Sequence, residues 1–204
     1  IQYFDIENPN PELAQAIQLA SCPAFRDYEG RMLIDVAAEL QITAPEAVRH
    51  ILTAPEGKQT ICIQHTMDEG DILSNLRHDR VMIGSDGIPD LSGRPHPRLY
   101  GTFPRVLGRY VREQGILDLE SAIRRMTSLS CDVHGLADRG RIIEGNWADL
   151  VLFDPDVVVD VASYEDPKQE SLGIRNVWVN GQMAFSEGTH TQMGNGKVLR
   201  YRKH

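Results

Sequence analysis

The sequence predicts an α/β fold: strand–helix repeats of a parallel sheet over residues 1–138, then a small β-rich domain over 139–204. Three observations carry that reading. Two apolar strand-like runs, 61–63 and 81–84, are separated by a helical pattern over 66–77, the order that builds a parallel sheet with its connecting helix packed outside. The second run, Val81-Met82-Ile83-Gly84, stops at Ser85-Asp86-Gly87, and the carboxyl end of a buried parallel strand is where α/β barrels place their chemistry. At Arg139-Gly140 helical spacing gives way to alternation and β-branched clusters.

The elements follow in order. Residues 1–30 carry the breakers Pro9, Pro11, Pro23 and Gly30 around a short amphipathic run over 12–20, which predicts one helix in irregular chain. Over 32–40 and 45–53 the apolar residues Leu33, Val36, Ala37 and Leu40, then Ala47, Val48, Ile51 and Leu52, recur at helical spacing, and Pro45 suits a first turn. Thr66 and Asp68-Glu69 begin the helix that ends near Arg77, with acids in its first turn and bases in its last. A Pro- and Gly-rich loop over 87–102 leads to an amphipathic helix over 103–113, and Asp118 caps another that runs to Met126. In the β-rich part the strand candidates are 150–152, 157–161 and 177–179, with Asn180-Gly181 as a hairpin turn.

Composition narrows the function. With 21 basic and 29 acidic residues the net charge is −8, and the bases are scattered, which argues against nucleic acid or an anionic membrane as a partner. No apolar stretch approaches membrane-spanning length. Cys22, Cys62 and Cys131 are widely spaced without a CxxC pattern, which fits a reducing, cytoplasmic setting. A complete (β/α)8 barrel takes about 250 residues. This chain has 204 and opens on Ile1, so it is expected to be a piece of a longer protein.

Asp86 is the first candidate for chemistry, because an apolar run that delivers a carboxylate between glycines can place an acid in a pocket; Ser85-Asp86-Gly87 is also compatible with an ordinary turn. Arg98 sits in a loop stiffened by Pro95 and Pro97, where a planar guanidinium suits bidentate recognition of a carboxylate; pairing with a surface acid is the alternative. His96 is expected to brace that loop, and His65, just past a strand, is a weaker candidate for pocket contact. His50, His78, His134, His190 and His204 lack a metal-type partner and are expected to be solvated. Cys62, inside an apolar run, is expected to be a small buried hydrophobe, and Asp154 and Asp156 beside Pro155 a solvated turn.

Several motifs occur in one order: Met67-Asp68-Glu69, Gly84-Ser85-Asp86-Gly87, His96-Pro97-Arg98-Leu99-Tyr100-Gly101-Thr102-Phe103-Pro104-Arg105, Met126-Thr127, Gly140-Arg141-Ile142, Ala148-Asp149-Leu150-Val151 and Val179-Asn180-Gly181. From about Asp35 to Leu199 the chain resembles the C-terminal part of the N-acyl-D-amino-acid deacylases, or D-aminoacylases, a branch of the metal-dependent amidohydrolases. The resemblance implies that 1–138 is the C-terminal part of a (β/α)8, TIM-like barrel and that 139–204 is a small accessory β-sandwich domain. It implies zinc as cofactor and a small N-acyl amino acid as substrate, cleaved to a D-amino acid and a carboxylate.

On the matching positions the resemblance makes Asp86 the proton-transferring carboxylate, reaching also towards a second, weaker metal position. It makes Arg98 the grip on the substrate's carboxylate, with Ser85, Gly87 and, more weakly, His65 beside the substrate. The family's His-x-His motif, ligand cysteine and later histidines are not found in residues 1–204. One carboxylate makes no zinc site, so this stretch alone is expected to be inactive. Where the family continues Met-Thr-x-Leu with proline and a small residue, this chain has Ser130-Cys131. A hydantoinase- or dihydroorotase-like cyclic amide hydrolase and a noncatalytic truncated module remain the alternatives.

Overall fold

The chain folds as an α/β structure, and the computed structural model describes residues 11–89, 92–192 and 194–200 of it. Two compact units can be separated. The first draws on Ile1–Asp68, Asp86–Leu99 and Ala162–Gln169; the second on Glu69–Ser85, Tyr100–Val161 and Glu170–His204.

In the first unit, α1 (Pro11–Gln15) leads directly into strand β1 (Ile17–Ser21). One helix had been expected over 12–20. All five residues of β1 are buried, so the run has no alternation of apolar and polar faces, and periodicity cannot tell such a strand from a buried helix. Helix α2 (Leu33–Glu39) and helix α3 (Ala44–Thr53) lie where apolar spacing puts them. The N-terminus of α3 is closed by a capping box: Thr43 accepts from the Glu46 backbone N–H, and the Glu46 carboxylate accepts from that of Thr43. Leu33, Val36 and Ala37 of α2 and Ala47 and Ile51 of α3 pack with Ile17 and Leu19 around Cys22 to form the core.

Strand β2 (Ile61–Gln64) corrects a second expectation. It pairs antiparallel with β1, Ile17 opposite Gln64 and Leu19 opposite Cys62. No ladder forms along 81–84 among the described residues, where Ile83 donates its N–H to the Arg125 carbonyl at 3.3 Å. The parallel pair read from 61–63 and 81–84 is therefore absent among the described residues: Val81, Met82 and Ile83 are half-buried, and without a neighbouring strand they join no sheet.

The second unit begins with α4 (Glu69–Arg77). Helix α5 (Arg98–Arg105) starts within the stretch expected to be loop and continues as a π-helical segment over Val106–Glu113. Pro104 accounts for the disturbance, since it has no N–H to give to the Tyr100 carbonyl four residues back; that carbonyl accepts instead from the Ser171 hydroxyl at 3.2 Å. Gly101 and Gly108 lie seven apart on one helical face, and both are needed for space. A Cβ there would come within 2.7 Å of the Asp160 Cβ and 2.7 Å of the Val158 carbonyl oxygen, respectively. Val158 is thereby buried against Leu76, Val106, Leu107, Tyr110, Leu117 and Ala122. The expected strand over 157–161 reduces to a single bridge, Val159 to Leu172.

Helix α6 (Leu119–Met126) is capped by Asp118, whose carboxylate accepts from the Ser121 backbone N–H at 2.6 Å and from its hydroxyl at 2.9 Å. Helix α7 (Ser128–Val133) follows with Cys131 inside it, and its neighbour Thr127 donates back to the Ile123 carbonyl instead of capping. Strands β3 (Leu150–Phe153), β4 (Ile174–Val179), β5 (Gln182–Ser186) and β6 (Thr189–His190) form one antiparallel sheet in that order. Asn180 and Gly181, at φ 52° and 81°, make the two-residue turn that a right-twisted hairpin requires.

A polar knot ties the segment before β3 to that turn. The buried guanidinium of Arg139 donates to the Asp149 carboxylate and, at 2.5 Å, to the Asn180 side-chain oxygen, while Asp149 also accepts the Asn180 backbone N–H at 2.8 Å. Trp147 lies under the same guanidinium at 5.4 Å and donates its indole N–H to Asp138.

Two predictions follow from these contacts. Arg139→Met removes a buried guanidinium from an exposed Asp149 and a half-buried Asn180, and should lower unfolding stability by about 1–2 kcal/mol in urea titrations. Arg141→Met breaks only the exposed pair with Asp132 and should leave the midpoint unchanged. The second concerns acid. The backbone N–H of Ser121, then its hydroxyl, hold the Asp118 carboxyl below its ordinary value of 3.8. The cap's contribution is therefore complete above that value and lost as pH falls through the lower folded one. Asp118→Asn, which keeps an accepting oxygen, should remove this acid dependence from the pH profile of unfolding.

Candidate active site

The site residues begin with backbone geometry. Asp86 stands at φ 48°, in the left-handed region that short polar side chains tolerate better than others. In the turn reading that conformation belongs to a glycine, yet Gly87 has no positive φ. Gly87 is required for room: a Cβ on it would lie 3.0 Å from the Leu99 Cα. The chain thus turns sharply at Asp86 and passes close to the start of α5.

Arg98 is the first residue of α5, and its guanidinium Nη2 lies 2.9 Å from the Asp86 Oδ2. The Asp86 side chain is 84% exposed and that of Arg98 38%. The two residues singled out from the sequence are therefore brought together, with Gly87 beside them and Ser85, half-buried, next in the chain.

His96 fixes the other end of Arg98. Its Nδ1 accepts the Arg98 backbone N–H at 3.0 Å, so a neutral ring carries its proton on Nε2, which faces the Tyr164 hydroxyl at 3.2 Å. The Tyr164 ring meets His96 edge-on at 5.2 Å and His65 at 4.5 Å. His65 donates from Nε2 to the Gln18 side-chain oxygen at 3.0 Å; Gln18 gives its amide N–H to the Gly30 carbonyl at 2.9 Å, which settles which way that amide points. His65 thus joins the group through Tyr164. Tyr164 and Gln18 are the residues that sequence reasoning missed. Tyr164 is 68 residues from His96, and no local pattern connects them.

The remaining candidates are resolved by their contacts. Cys62 is exposed on β2, where Ile63 takes the inward position; the buried cysteine is Cys22. His50 stacks on Phe25 at 4.7 Å and His190 pairs with Glu170 at 2.8 Å, so neither is merely solvated. Asp154 accepts the Asp156 backbone N–H and pairs with Arg175, which makes it a local turn brace. Glu69, in the Met67-Asp68-Glu69 motif, accepts from Arg109 at 3.1 Å and from the Tyr110 hydroxyl at 3.2 Å. No three histidine, cysteine, aspartate or glutamate side chains converge on a possible metal position among the described residues. Zinc needs three or four such ligands, so these residues do not by themselves fit it.

Residues 33–185 match the amidohydrolase family, and the chain belongs to that family. Among curated proteins of Alcaligenes xylosoxydans xylosoxydans it is 43% identical to a D-aminoacylase over 87% of this chain, and 43% identical to an N-acyl-D-glutamate deacylase over 84%. The chain spans 35% and 33% of those relatives, about a third of their length. Among solved structures it superposes on a D-aminoacylase described by its binuclear metal centre, with a TM-score of 0.83 and 40% identity over 91% of this chain and 38% of that one. It also superposes on the N-acyl-D-glutamate deacylase of Bordetella bronchiseptica, solved with zinc and a phosphonate mimic of the tetrahedral intermediate. There the TM-score is 0.79 at 40% identity, covering 87% of this chain and 36% of that one.

Proposed function

We propose that this chain is the C-terminal third of a zinc-dependent N-acyl-D-amino-acid deacylase, which hydrolyses the amide of an N-acyl-D-amino acid to a D-amino acid and a carboxylate. In this reading residues 1–138 are the C-terminal part of a (β/α)8 barrel and 139–204 are a small accessory β-sandwich domain. The setting is cytoplasmic, in keeping with three free cysteines. The observation that carries the proposal is the Asp86–Arg98 pair, an exposed carboxylate 2.9 Å from a guanidinium that a helix start holds in place.

Each partner has a task suited to its chemistry. As a water oxygen bonds to the amide carbon, Asp86 takes that water's proton; as the C–N bond breaks, it returns the proton to the departing nitrogen. Arg98 offers a planar fork to the substrate's α-carboxylate and so orients the scissile amide. Zinc bound in the whole protein would acidify the water and polarise the carbonyl. The described residues do not supply its ligands, which in a protein of the relatives' full length would come from the remaining two thirds. The 204 residues alone should therefore be inactive.

Two substitutions in the full-length protein test the assignment. Asp86→Asn preserves shape but removes the proton acceptor, and kcat should fall by at least about 10²-fold. A near-native kcat would reject Asp86 as the base. Arg98→Lys keeps charge without the fork and Arg98→Met loses both, so kcat/KM for N-acyl-D-amino acids should fall in that order, at least about 30-fold for Met. A substrate whose carboxylate is replaced by a neutral amide should be poor from the outset and lose little more. Equal losses for acid and amide would mean that Arg98 shapes the loop and does not bind the carboxylate.

A further inference from the structure

Arg98 reaches Asp86 through a long side chain whose origin is the first backbone position of α5. A small rotation of that first turn moves the guanidinium far more than it moves the backbone, so whatever fixes the turn also aims the arginine. The N–H groups of a helix's first turn have no partner within the helix. The one on Arg98 is taken by His96 Nδ1 at 3.0 Å.

His96 is in turn held from behind. Its Nε2 faces the Tyr164 hydroxyl at 3.2 Å, and the Tyr164 ring sits edge-on between His96 and His65. His65 is tethered to Gln18, a buried residue of β1. The same stretch of chain is pinned to β1 a second time, since Arg94 donates its backbone N–H to the Ala20 carbonyl at 2.6 Å. Gly93 permits that approach, because a Cβ there would lie 2.5 Å from the Ala20 oxygen.

We propose that His96 and Tyr164 are positioning residues for Arg98: a relay from Gln18 through His65, Tyr164 and His96 sets the first turn of α5 and with it the guanidinium that recognises the substrate's carboxylate. The proposal rests on the deacylase reading of Arg98 and adds the residues that determine how strongly acid is preferred to neutral amide. Neither residue touches the reacting amide, so each acts on recognition of the carboxylate and leaves the proton transfer at Asp86 as it is.

The test uses the full-length protein and two substrates, an N-acyl-D-amino acid and its carboxamide. His96→Ala should raise KM for the acid by roughly 10-fold, as expected for one lost hydrogen bond, with kcat changed less than about 2-fold and the carboxamide unaffected. His96→Asn should recover most of the loss, because an asparagine oxygen accepts the N–H two residues on as it does at helix caps. Tyr164→Phe keeps the ring and removes the hydroxyl; it should raise KM for the acid roughly 3-fold, and it carries the comparison if His96→Ala does not fold. Placed on Arg98→Met, neither substitution should have a further effect on the acid. A loss that persists in the Arg98→Met background, or that falls equally on acid and carboxamide, overturns the positioning role while leaving the deacylase reading intact. Failure of Arg98→Met alone to separate acid from carboxamide brings down the reading of Arg98 as the carboxylate grip, and the positioning role with it.

Discussion

The pairing of Asp86 with Arg98 is the contact on which the candidate site depends, and it does not hold itself together. An exposed ion pair contributes about 0–1 kcal/mol, while a non-glycine residue in the left-handed region costs about 1–3 kcal/mol. Asp86 pays that cost at φ 48° with its side chain mostly in solvent. The geometry must therefore be imposed by the surroundings: Gly87 pressed against Leu99 at one end, and the His96 acceptor beneath Arg98 at the other. A carboxylate and a guanidinium held close by backbone constraints keep their orientation whether or not a third charge arrives. This is what recognition of an anionic substrate needs.

The second unit shows the same economy in a structural role. Pro104 removes a helical hydrogen bond, and the carbonyl it strands is taken by Ser171; the wider π-helical turn that follows still buries Val106, Leu107 and Tyr110. Arg139 is buried only because Asp149, Asn180 and the Trp147 ring receive its charge. In both places a costly polar group takes a partner from elsewhere in the chain, so each contact fixes the path of a loop as well as the energy of a group. The Gly140-Arg141-Ile142 stretch leads away from Arg139, and Val179-Asn180-Gly181 contains the turn that Arg139 binds.

Most helices were legible in the sequence because each carried two independent signals. Apolar spacing agrees with a first-turn Pro45 for α3 and with a capping Asp118 for α6, and Asn180-Gly181 declares its own turn. Strand β1 was not legible, since a fully buried strand has no alternation to read. The stretch 81–84 reads as a strand from its apolar content, which carries no information on pairing. Around Arg98 the prolines at 95 and 97 were read as loop, although proline is also what precedes a helix; the helix starts at Arg98 itself. Asp86, Arg98 and Gly87 could be singled out because chemistry and backbone type meet in the same residues. Tyr164 and Gln18 could not, because what they do exists only through contacts 68 and 47 residues away.

That difference follows from how the two halves of a hydrolytic site are built. A metal centre needs three or four donors that converge from several elements, and the described residues hold no such group. Recognition of a carboxylate needs one guanidinium, aimed by its own backbone, and a short chain can assemble that completely: β1 anchors Gln18, and the relay through His65, Tyr164 and His96 ends at the first N–H of α5. Under the proposed function, the discrimination between an N-acyl amino acid and its uncharged amide is therefore carried within these residues, while the metal that would acidify the water beside Asp86 draws its ligands from the remainder of the protein. Substitutions in the relay should thus alter which substrate is accepted, and substitutions at Asp86 should alter how fast any of them is cleaved.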